Sequence, residues 1–408
     1  MKSGIFDIAI IGSGPVGAAL ALALSQRQLQ VALIDARDKT KAKPADGRNF
    51  AIVTGSWRLL QSVGVTEPLE RASQKLHGLE AVDGGTHWFG RPGVMFEDAD
   101  LESADPGESL GYMVKAAVLQ SALDEAIAEQ SNITLFAPEM FEAIDAGDGS
   151  AVLSLESGQT VKARLVAGAD GVKSPLRQAL GIATEGRDYG KSVLTANVKL
   201  AEPHQGIARQ LFVPEGPFAT LPLTGDRANL AWYMKRGAAE ALSAQPVAAI
   251  EAELNHRFAC FAGKMQIEGE VGSYPLVLQI ATELTGPRAV LLGDAARRVN
   301  PLAGQGLNQG FRDVAALIDV IEDASRAGLD IGSQTVLDQY SQARRLEGAG
   351  SALILDGIDR LFSNDALLTK PLRGLGLMAA SRIKPLRRFL ARRASATEEG
   401  VPRSMTDW

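Results

Sequence analysis

Residues 6–26, FDIAIIGSGPVGAALALALSQ, together with the short run that follows them, carry the strongest indication of the fold. Phe6 to Ile11 is apolar and rich in β-branched residues, which indicates a buried parallel strand. The glycine-rich turn Gly12 to Gly17 leads into a helix pattern, and a second strand, Val31 to Ile34, ends at Asp35. This order of elements predicts a dinucleotide-binding βαβ unit: a strand, a G-x-G-x-x-G turn, a helix, and a second strand that ends at an acidic residue.

Each position of this unit has a physical task. Gly12 permits the tight turn, Gly14 lets the backbone approach a pyrophosphate, and Gly17 lets the helix pack close to the strand. The helix N-terminus supplies N–H groups for the phosphates, and the Asp35 carboxylate can accept hydrogen bonds from ribose hydroxyls. The unit alone does not separate NAD from FAD. Its predicted binding residues are Gly12, Ser13, Gly14, Pro15, Val16, Gly17 and Asp35.

Two further glycine-acid motifs follow predicted strands. Val152 to Leu155 and Thr160 to Val166 alternate about a Ser-Gly turn, which predicts a β-hairpin that leads to Asp170. Ala289 to Leu292 predicts another buried strand, and it ends at Gly293-Asp294. A glycine-rich segment then opens a helix that runs to about residue 323. An aspartate at a strand end can hold ribityl hydroxyls, and N–H groups at a helix start can stabilise negative charge on a reduced flavin.

Composition and charge exclude several classes of protein. The chain has 408 residues, 46% hydrophobic and 22% charged, which is typical of a globular protein of two or three domains. Its one cysteine, Cys260, allows no intrachain disulfide, and the four histidines share no metal-ligand spacing, so no metal site is expected. The net charge of −6 disfavours nucleic acid as a partner. No apolar run is long enough to span a membrane, and the N-terminal pattern does not fit a signal peptide, so we expect a cytoplasmic protein.

The three motifs, in this order, resemble the FAD-dependent aromatic hydroxylases of the p-hydroxybenzoate hydroxylase type. More narrowly, they resemble the ubiquinone-biosynthesis hydroxylase branch. The resemblance covers roughly residues 5–350. It implies an α/β fold with a Rossmann-like FAD domain of the glutathione-reductase type, an inserted β-sheet substrate domain and a helical C-terminus.

The resemblance also implies an activity. NAD(P)H reduces FAD, dioxygen adds to give a flavin hydroperoxide, and an aromatic ring, in this branch a polyprenyl phenol, is hydroxylated. Beyond the first motif, the implied cofactor-binding residues are Arg48, Asp170, Gly293, Asp294, Gly304, Gln305, Gly306, Leu307 and Asn308. The residues that we assign to the catalytic region are Arg297, Asn300 and Pro301.

The sequence departs from the family at positions near the flavin. Arg297 stands where many members carry histidine, and Asn300 stands where many carry histidine or proline. Lys115 to Ala117 lacks the Glu-Asn pair common in the ubiquinone branch. Two alternatives therefore stay open: a hydroxylase of a soluble aromatic metabolite, and a non-catalytic FAD-binding accessory subunit that acts with other quinone-biosynthesis proteins.

The predicted domains are discontinuous. Residues 1–75, 111–185 and 280–330 form the FAD-binding domain, residues 76–110 and 186–279 the substrate domain, and residues 331–408 a C-terminal helical region. In the substrate domain, strands are predicted at 192–200, 209–212, 218–221, 229–233 and 270–278, and a helix at 246–261.

The segment Lys370 to Arg393 has eight basic residues and no acidic one, which leaves a net charge of −14 on the rest of the chain. Apolar residues alternate with the basic ones. Such a segment can lie on the inner, anionic face of a membrane, where a lipid-tailed substrate resides, and would make the protein peripheral. The alternative is a helix packed on the FAD domain with a solvated basic face.

Overall fold

The structure is a computed structural model, and it describes residues 4–38, 41, 47–84, 92–101, 107–298, 305–345, 376 and 379–406. The described strands form three sheets. In chain order they are β1 (Phe6–Ile11), β2 (Val31–Ile34), β3 (Asn49–Val53), β4 (Gln74–Leu76), β5 (Gly78–Asp83), β6 (Gly93–Glu97), β7 (Gly111–Lys115), β8 (Ile133–Phe136), β9 (Phe141–Ala146), β10 (Ala151–Leu155), β11 (Thr160–Gly168), β12 (Thr184–Leu200), β13 (Ile207–Phe212), β14 (Phe218–Leu223), β15 (Arg227–Lys235), β16 (Met265–Ala281), β17 (Thr285–Gly286), β18 (Ala289–Leu291) and β19 (Arg297–Arg298).

The helices cover the sheets and connect them. In chain order they are α1 (Pro15–Gln26), α2 (Thr54–Ser62), α3 (Thr66–Ala72), α4 (Ala116–Ala128), α5 (Pro175–Ala179), α6 (Arg236–Ser243), α7 (Val247–Ala262), α8 (Gln305–Arg326) and α9 (Lys384–Ser395). Residues 334–345 are also helical, and short 3-10 turns occur at Asp98–Asp100, Gly293–Ala295 and Arg403–Met405. No helix within these described ranges combines the length and the apolar character needed to cross a membrane.

The first sheet has the strand order β17-β18-β11-β1-β2-β8, and the neighbours from β18 to β8 run parallel. Its central strands are mostly apolar, apart from Asp7 near the start of β1, because both of their faces are covered. Helix α1 packs against both α4 and α8, and the residues buried between helices and sheet form the main hydrophobic core. Parallel strands end at one edge of a sheet, and this edge carries the three motifs.

The second sheet has the order β19-β16-β12-β15-β14-β13-β5-β6 and is antiparallel except where β13 pairs with β5. Alternate residues of β12, β15 and β16 pack against α7 and form a separate core. The opposite face lies toward the third sheet, of order β3-β7-β4, because Leu221 and Leu223 of β14 share a cluster with Ala51 and Met113. The second sheet therefore stands over the third sheet.

The C-terminal segment crosses both halves of the molecule. Leu386 and Leu390 of α9 pack on β5 and β6, and Arg387 pairs with Asp100. After α9 the chain runs across α2 and α8, where the Met405 side chain is fully buried. The last described residues are thus part of the packed fold.

Most predicted elements are confirmed, including β1, β2, the β10–β11 hairpin and α7. Helix α1 begins at Pro15 rather than at residue 18, because proline is favourable in the first turn of a helix, where its missing N–H is not needed. Strands β12 and β16 are longer than predicted. Residues 184–191 are mostly polar and gave no apolar signal, yet much of this stretch pairs with the end of β16. The predicted domain boundaries stay a prediction.

Candidate cofactor site

The three motifs lie side by side because their strands are neighbours. The N–H of Ala169 donates to the carbonyl oxygen of Ile11 at 2.8 Å, and the N–H of Leu292 donates to that of Gly168 at 2.9 Å. The ends of β1, β11 and β18 are therefore held in register at the carboxyl edge of the sheet. This edge is where open parallel sheets bind their ligands.

Two glycines of the first motif are required by close backbone packing. Gly12 has φ +97°, and a Cβ there would lie 2.4 Å from the carbonyl oxygen of Ala169. A Cβ on Gly17 would lie 1.9 Å from the carbonyl oxygen of Gly12, so only glycine lets α1 start this close to β1. The third motif packs on the same turn, because a Cβ on Gly310 would lie 2.5 Å from Cγ2 of Val16.

Gly14 differs from its neighbours because no atom outside its immediate chain neighbours lies within 4 Å of a Cβ built on it. It is the N-cap of α1, with extended backbone, and no side chain caps the helix. The first N–H groups of a helix have no intrahelical acceptor, and they attract anions. Open space beside Gly14 and uncapped N–H groups fit the pyrophosphate of a dinucleotide.

Asp35 lies at the end of β2 with its carboxylate buried. Burial would raise the pKa of Asp35, but hydrogen bonds from Arg37 and Ser13 outweigh burial and hold the pKa well below its ordinary value. The backbone N–H of Ser13 donates at 2.7 Å, and Arg37 donates to both oxygens. The Ser13 hydroxyl and the Arg37 backbone N–H also donate to this carboxylate. A ribose hydroxyl that binds Asp35 must therefore replace one of these donors.

Asp170 supplies an acceptor from the second motif. One carboxylate oxygen accepts from the backbone N–H of Leu176 at 3.0 Å. The other oxygen, Oδ1, is buried and has no hydrogen-bond partner among the described residues. Burial raises the pKa of Asp170, against hydrogen bonds from Ser174 and Leu176. An unpaired buried acceptor beside the Gly12 turn fits a hydroxyl or amide group of a bound ligand.

Asp294 follows β18 and supplies the carboxylate of the third motif. Its side chain is exposed to solvent, yet enough protein surrounds it for desolvation to raise its pKa, while Arg298 and Arg48 lower it. Arg48 therefore lies near Asp294 of the third motif, and its predicted contact with the cofactor stays a prediction. An accessible carboxylate at the end of β18 fits the predicted contact with ribityl hydroxyls.

The start of α8 is anchored to β3. The Asn308 amide donates to the carbonyl oxygen of Ala51 at 2.7 Å and accepts from the N–H of Val53 at 3.1 Å. Asn308 thus holds the third motif against the small third sheet, and Gly306 and Leu307 lie in the first turn of the same helix, which begins at Gln305. Three predicted residues, Asn300, Pro301 and Gly304, lie outside the described residues.

Arg297 belongs to a buried cluster behind the motif. Its guanidinium lies 3.1 Å from Oδ1 of Asp313, which also accepts from Nε of Arg344 at 2.6 Å. The other Asp313 oxygen accepts from the backbone N–H of Gly293 at 2.9 Å, and the Arg344 side chain is fully buried. This cluster favours a positioning role for Arg297, because it fixes the turn before Asp294, over the catalytic role that we assigned from the sequence.

The segment Lys115 to Ala117, which differs from the pattern of the ubiquinone branch, lies at the junction of β7 and α4. Lys115 is exposed at the N-cap of α4, and Ala116 is buried. One turn on, the Gln120 side chain donates to the carbonyl oxygen of Ser13 at 2.9 Å. Helix α4 therefore supports the first motif through Gln120.

Sequence reasoning missed four residues that shape the site: Arg37, Gln120, Asp313 and Arg344. Arg37 lies two residues after the strand-end Asp35, and its position was the one available signal. Gln120 lies 107 residues from Ser13, and Asp313 and Arg344 lie 20 and 31 residues from the groups that they hold, so nothing in the local sequence marks them.

Comparison with known proteins agrees with this geometry. The family model described as FAD binding domain matches residues 6–351. Ubiquinone hydroxylase UbiL of Rhodospirillum rubrum is 36% identical over 96% of this chain and 90% of its own. The 3-demethoxyubiquinol 3-hydroxylase of Escherichia coli is 35% identical over 94% of this chain and 96% of its own.

Solved structures share the fold. The p-nitrophenol 4-monooxygenase PnpA of Pseudomonas putida superimposes with a TM-score of 0.76 over 97% of this chain and 99% of its own, at 18% identity. The anhydrotetracycline hydroxylase OxyS of Streptomyces rimosus has a TM-score of 0.69 over 96% of this chain and 76% of its own, at 23% identity. The expected fold class is confirmed. With the family model matching most of its length and its three motifs gathered at one sheet edge, this chain is a member of the FAD-binding-domain family.

Proposed function

We propose that this chain is an FAD-dependent monooxygenase that hydroxylates the aromatic ring of a polyprenyl phenol in ubiquinone biosynthesis, with NAD(P)H and dioxygen as co-substrates. The observation that carries the proposal is the convergence of Gly14, Asp170 and Asp294 at one edge of the first sheet. Two curated relatives above 30% identity, named as a ubiquinone hydroxylase and a demethoxyubiquinol hydroxylase, support the substrate class.

The residues present fit FAD. The open space at Gly14 and the uncapped start of α1 would hold the pyrophosphate, Asp35 the ribose, and Asp294 the ribityl chain. The chemistry that bound FAD supplies is hydride acceptance from NAD(P)H and activation of dioxygen for attack on an electron-rich ring. The protein must also exclude water from that reaction. The packing of the second sheet on the third sheet, to which Asn308 anchors the start of α8, supports this role.

The test is a comparison of precursor pools in a deletion strain. The proposal predicts that the strain accumulates a quinone precursor that lacks one ring oxygen, and that wild-type protein restores the pool. A Gly14→Asp variant should fail to restore it, because the carboxylate would occupy the pyrophosphate space. Full restoration by this variant, with no flavin bound after purification, contradicts the monooxygenase and supports an accessory role.

We also propose that α9 and the residue before it bring the protein to an anionic membrane surface. Ile383 and Phe389 expose 51% and 57% of their surface, and Arg382 and Lys384 are exposed beside them. Exposed apolar side chains flanked by basic ones are suited to the lipid headgroup region. Arg387, unlike these exposed residues, forms an ion pair with Asp100. One side of the helix therefore packs on the fold, and the other side is exposed and could contact lipid.

Point variants test this better than truncation, because the residues after α9 are packed into the core. The intact protein should float with vesicles of anionic lipid and float less with neutral vesicles. An Ile383→Ser/Phe389→Ser double variant should lose most flotation without losing FAD. If wild type and the double variant float equally, the proposal that this surface binds lipid is contradicted.

A further inference from the structure

Three asparagine side chains meet where the second sheet faces β3. The Oδ1 atom of Asn197 on β12 accepts from Nδ2 of Asn49 at 3.1 Å and from Nδ2 of Asn229 at 3.1 Å. Asn197 and Asn229 are paired directly across β12 and β15. All three side chains are half-buried. A polar cluster at this place contrasts with the apolar residues that surround it.

Strand alternation sets the direction of these side chains. Leu194, Ala196 and Val198 of β12 pack into the core against α7. Successive side chains of a strand point to opposite faces, so Asn197 points away from α7 and toward the third sheet. On the same face, Leu221 lies beside Asn229 in the sheet register and packs in an apolar cluster.

The hydrogen bonds fix which way each amide is turned. Nδ2 of Asn229 also lies 3.3 Å from the carbonyl oxygen of Ala196, which can only accept, so this atom is the nitrogen. The Asn197 atom that faces it must then be the oxygen. Both lone pairs of that oxygen are used by Asn229 and Asn49. The two N–H groups of Asn197 therefore point elsewhere, and the described residues offer them no acceptor.

The cluster lies close to the cofactor site. Asn49 directly follows Arg48, whose charge lowers the pKa of Asp294. Farther along β3, Ala51 and Val53 bind the Asn308 side chain at the start of α8. The face that carries Asn197 is thus separated from the third motif only by the region around β3.

We propose that Asn197 is a specificity-determining residue that donates a hydrogen bond to an oxygen substituent on the aromatic ring of the substrate. This inference rests on the proposed function. Asn49 and Asn229 hold the Asn197 oxygen, so the N–H groups are oriented before substrate binds. An amide donor on an apolar wall favours a ring that carries a hydroxyl, methoxy or carbonyl oxygen over one that carries a methyl group at that position.

The experiment compares two probes, 2-methoxy-6-prenylphenol and 2-methyl-6-prenylphenol, by phenol-dependent NAD(P)H oxidation. With Asn197→Ala, KM for the methoxy probe should rise about 5-fold, the size of one neutral hydrogen bond. KM for the methyl probe should stay within about 2-fold of the wild-type value, because that probe offers no acceptor there. The dissociation constant of FAD, measured by flavin fluorescence, should not change.

Asn255 on α7 provides a matched control. Its amide donates to the carbonyl oxygens of Glu251 and Met265 and accepts from the N–H of Met265, on the far face of the same sheet. Asn255→Ala should lower the unfolding temperature and leave both KM values unchanged. An equal KM change for both probes in Asn197→Ala, or weaker FAD binding, overturns the inference. If neither phenol stimulates NAD(P)H oxidation by the wild-type protein, the proposed function itself is contradicted.

Discussion

A methyl group added at Gly14 should weaken cofactor binding without changing the stability of the folded protein. A Cβ built there meets no atom beyond its chain neighbours within 4 Å, and the backbone angles, φ −64° and ψ 177°, suit alanine. Gly14→Ala should therefore leave the stability of the apoprotein within about 0.5 kcal/mol of wild type. Because the methyl occupies the space beside the start of α1, it should keep a pyrophosphate from the helix N–H groups.

The loss of affinity can be worked from those groups. Val16 and Gly17 are in the first turn of α1, where N–H groups have no intrahelical acceptor. Hydrogen bonds to a charged group contribute about 1.5–3 kcal/mol each, so losing two costs about 3–6 kcal/mol. At 1.4 kcal/mol per tenfold change, the dissociation constant of FAD should rise roughly 10²- to 10⁴-fold. The assay is titration of apoprotein with FAD, followed by the change in flavin fluorescence.

Gly17→Ala is the matched control, and we expect it to lower the stability of the apoprotein. Its methyl would lie 1.9 Å from the carbonyl oxygen of Gly12, so α1 must move away from β1. Overpacking of this kind costs about 1–3 kcal/mol or more, and urea unfolding of the apoprotein should show it. If Gly14→Ala binds FAD within about 3-fold of wild type, or if it unfolds as easily as Gly17→Ala, the pyrophosphate does not lie beside Gly14 and the reasoning is refuted.

Two further predictions concern buried carboxylates. The folded-state pKa of Asp35 is lowered, so its ionised form stabilises the apoprotein above the ordinary carboxyl pKa of about 3.9, and this contribution is lost as the pH falls through the folded-state value. The difference in unfolding temperature between wild type and Asp35→Asn should therefore shrink below about pH 4, and a constant difference down to about pH 3 would contradict the assignment. Asp313→Asn should destabilise the protein by about 3–5 kcal/mol, because it removes a buried negative charge that contacts both Arg297 and Arg344. Urea unfolding measures it, and Asp338→Asn, on the exposed face of the helix at 334–345, should change stability by less than about 0.5 kcal/mol.

Local patterns were sufficient to predict the elements around the first motif. The alternation of apolar residues, the Gly12 to Gly17 turn and the acid at Asp35 depend on neighbours within a few residues or one βαβ unit. The same holds for the β10–β11 hairpin, whose turn residues lie between two alternating strands. The extension of β12 over residues 184–191 was not predicted because its residues are mostly polar and exposed and carry no apolar signal.

Sequence alone thus determined that three glycine-acid turns follow buried strands, and it placed the chain in a flavoprotein fold. The contacts of each side chain in the site became visible only in the folded molecule. Arg297 turned out to face the buried carboxylate of Asp313, and Asn197 was brought against Asn49, 148 residues away. The physical reason is that strand and turn propensities act between near neighbours, whereas hydrogen-bond partners are selected by the register and packing of elements far apart in the chain.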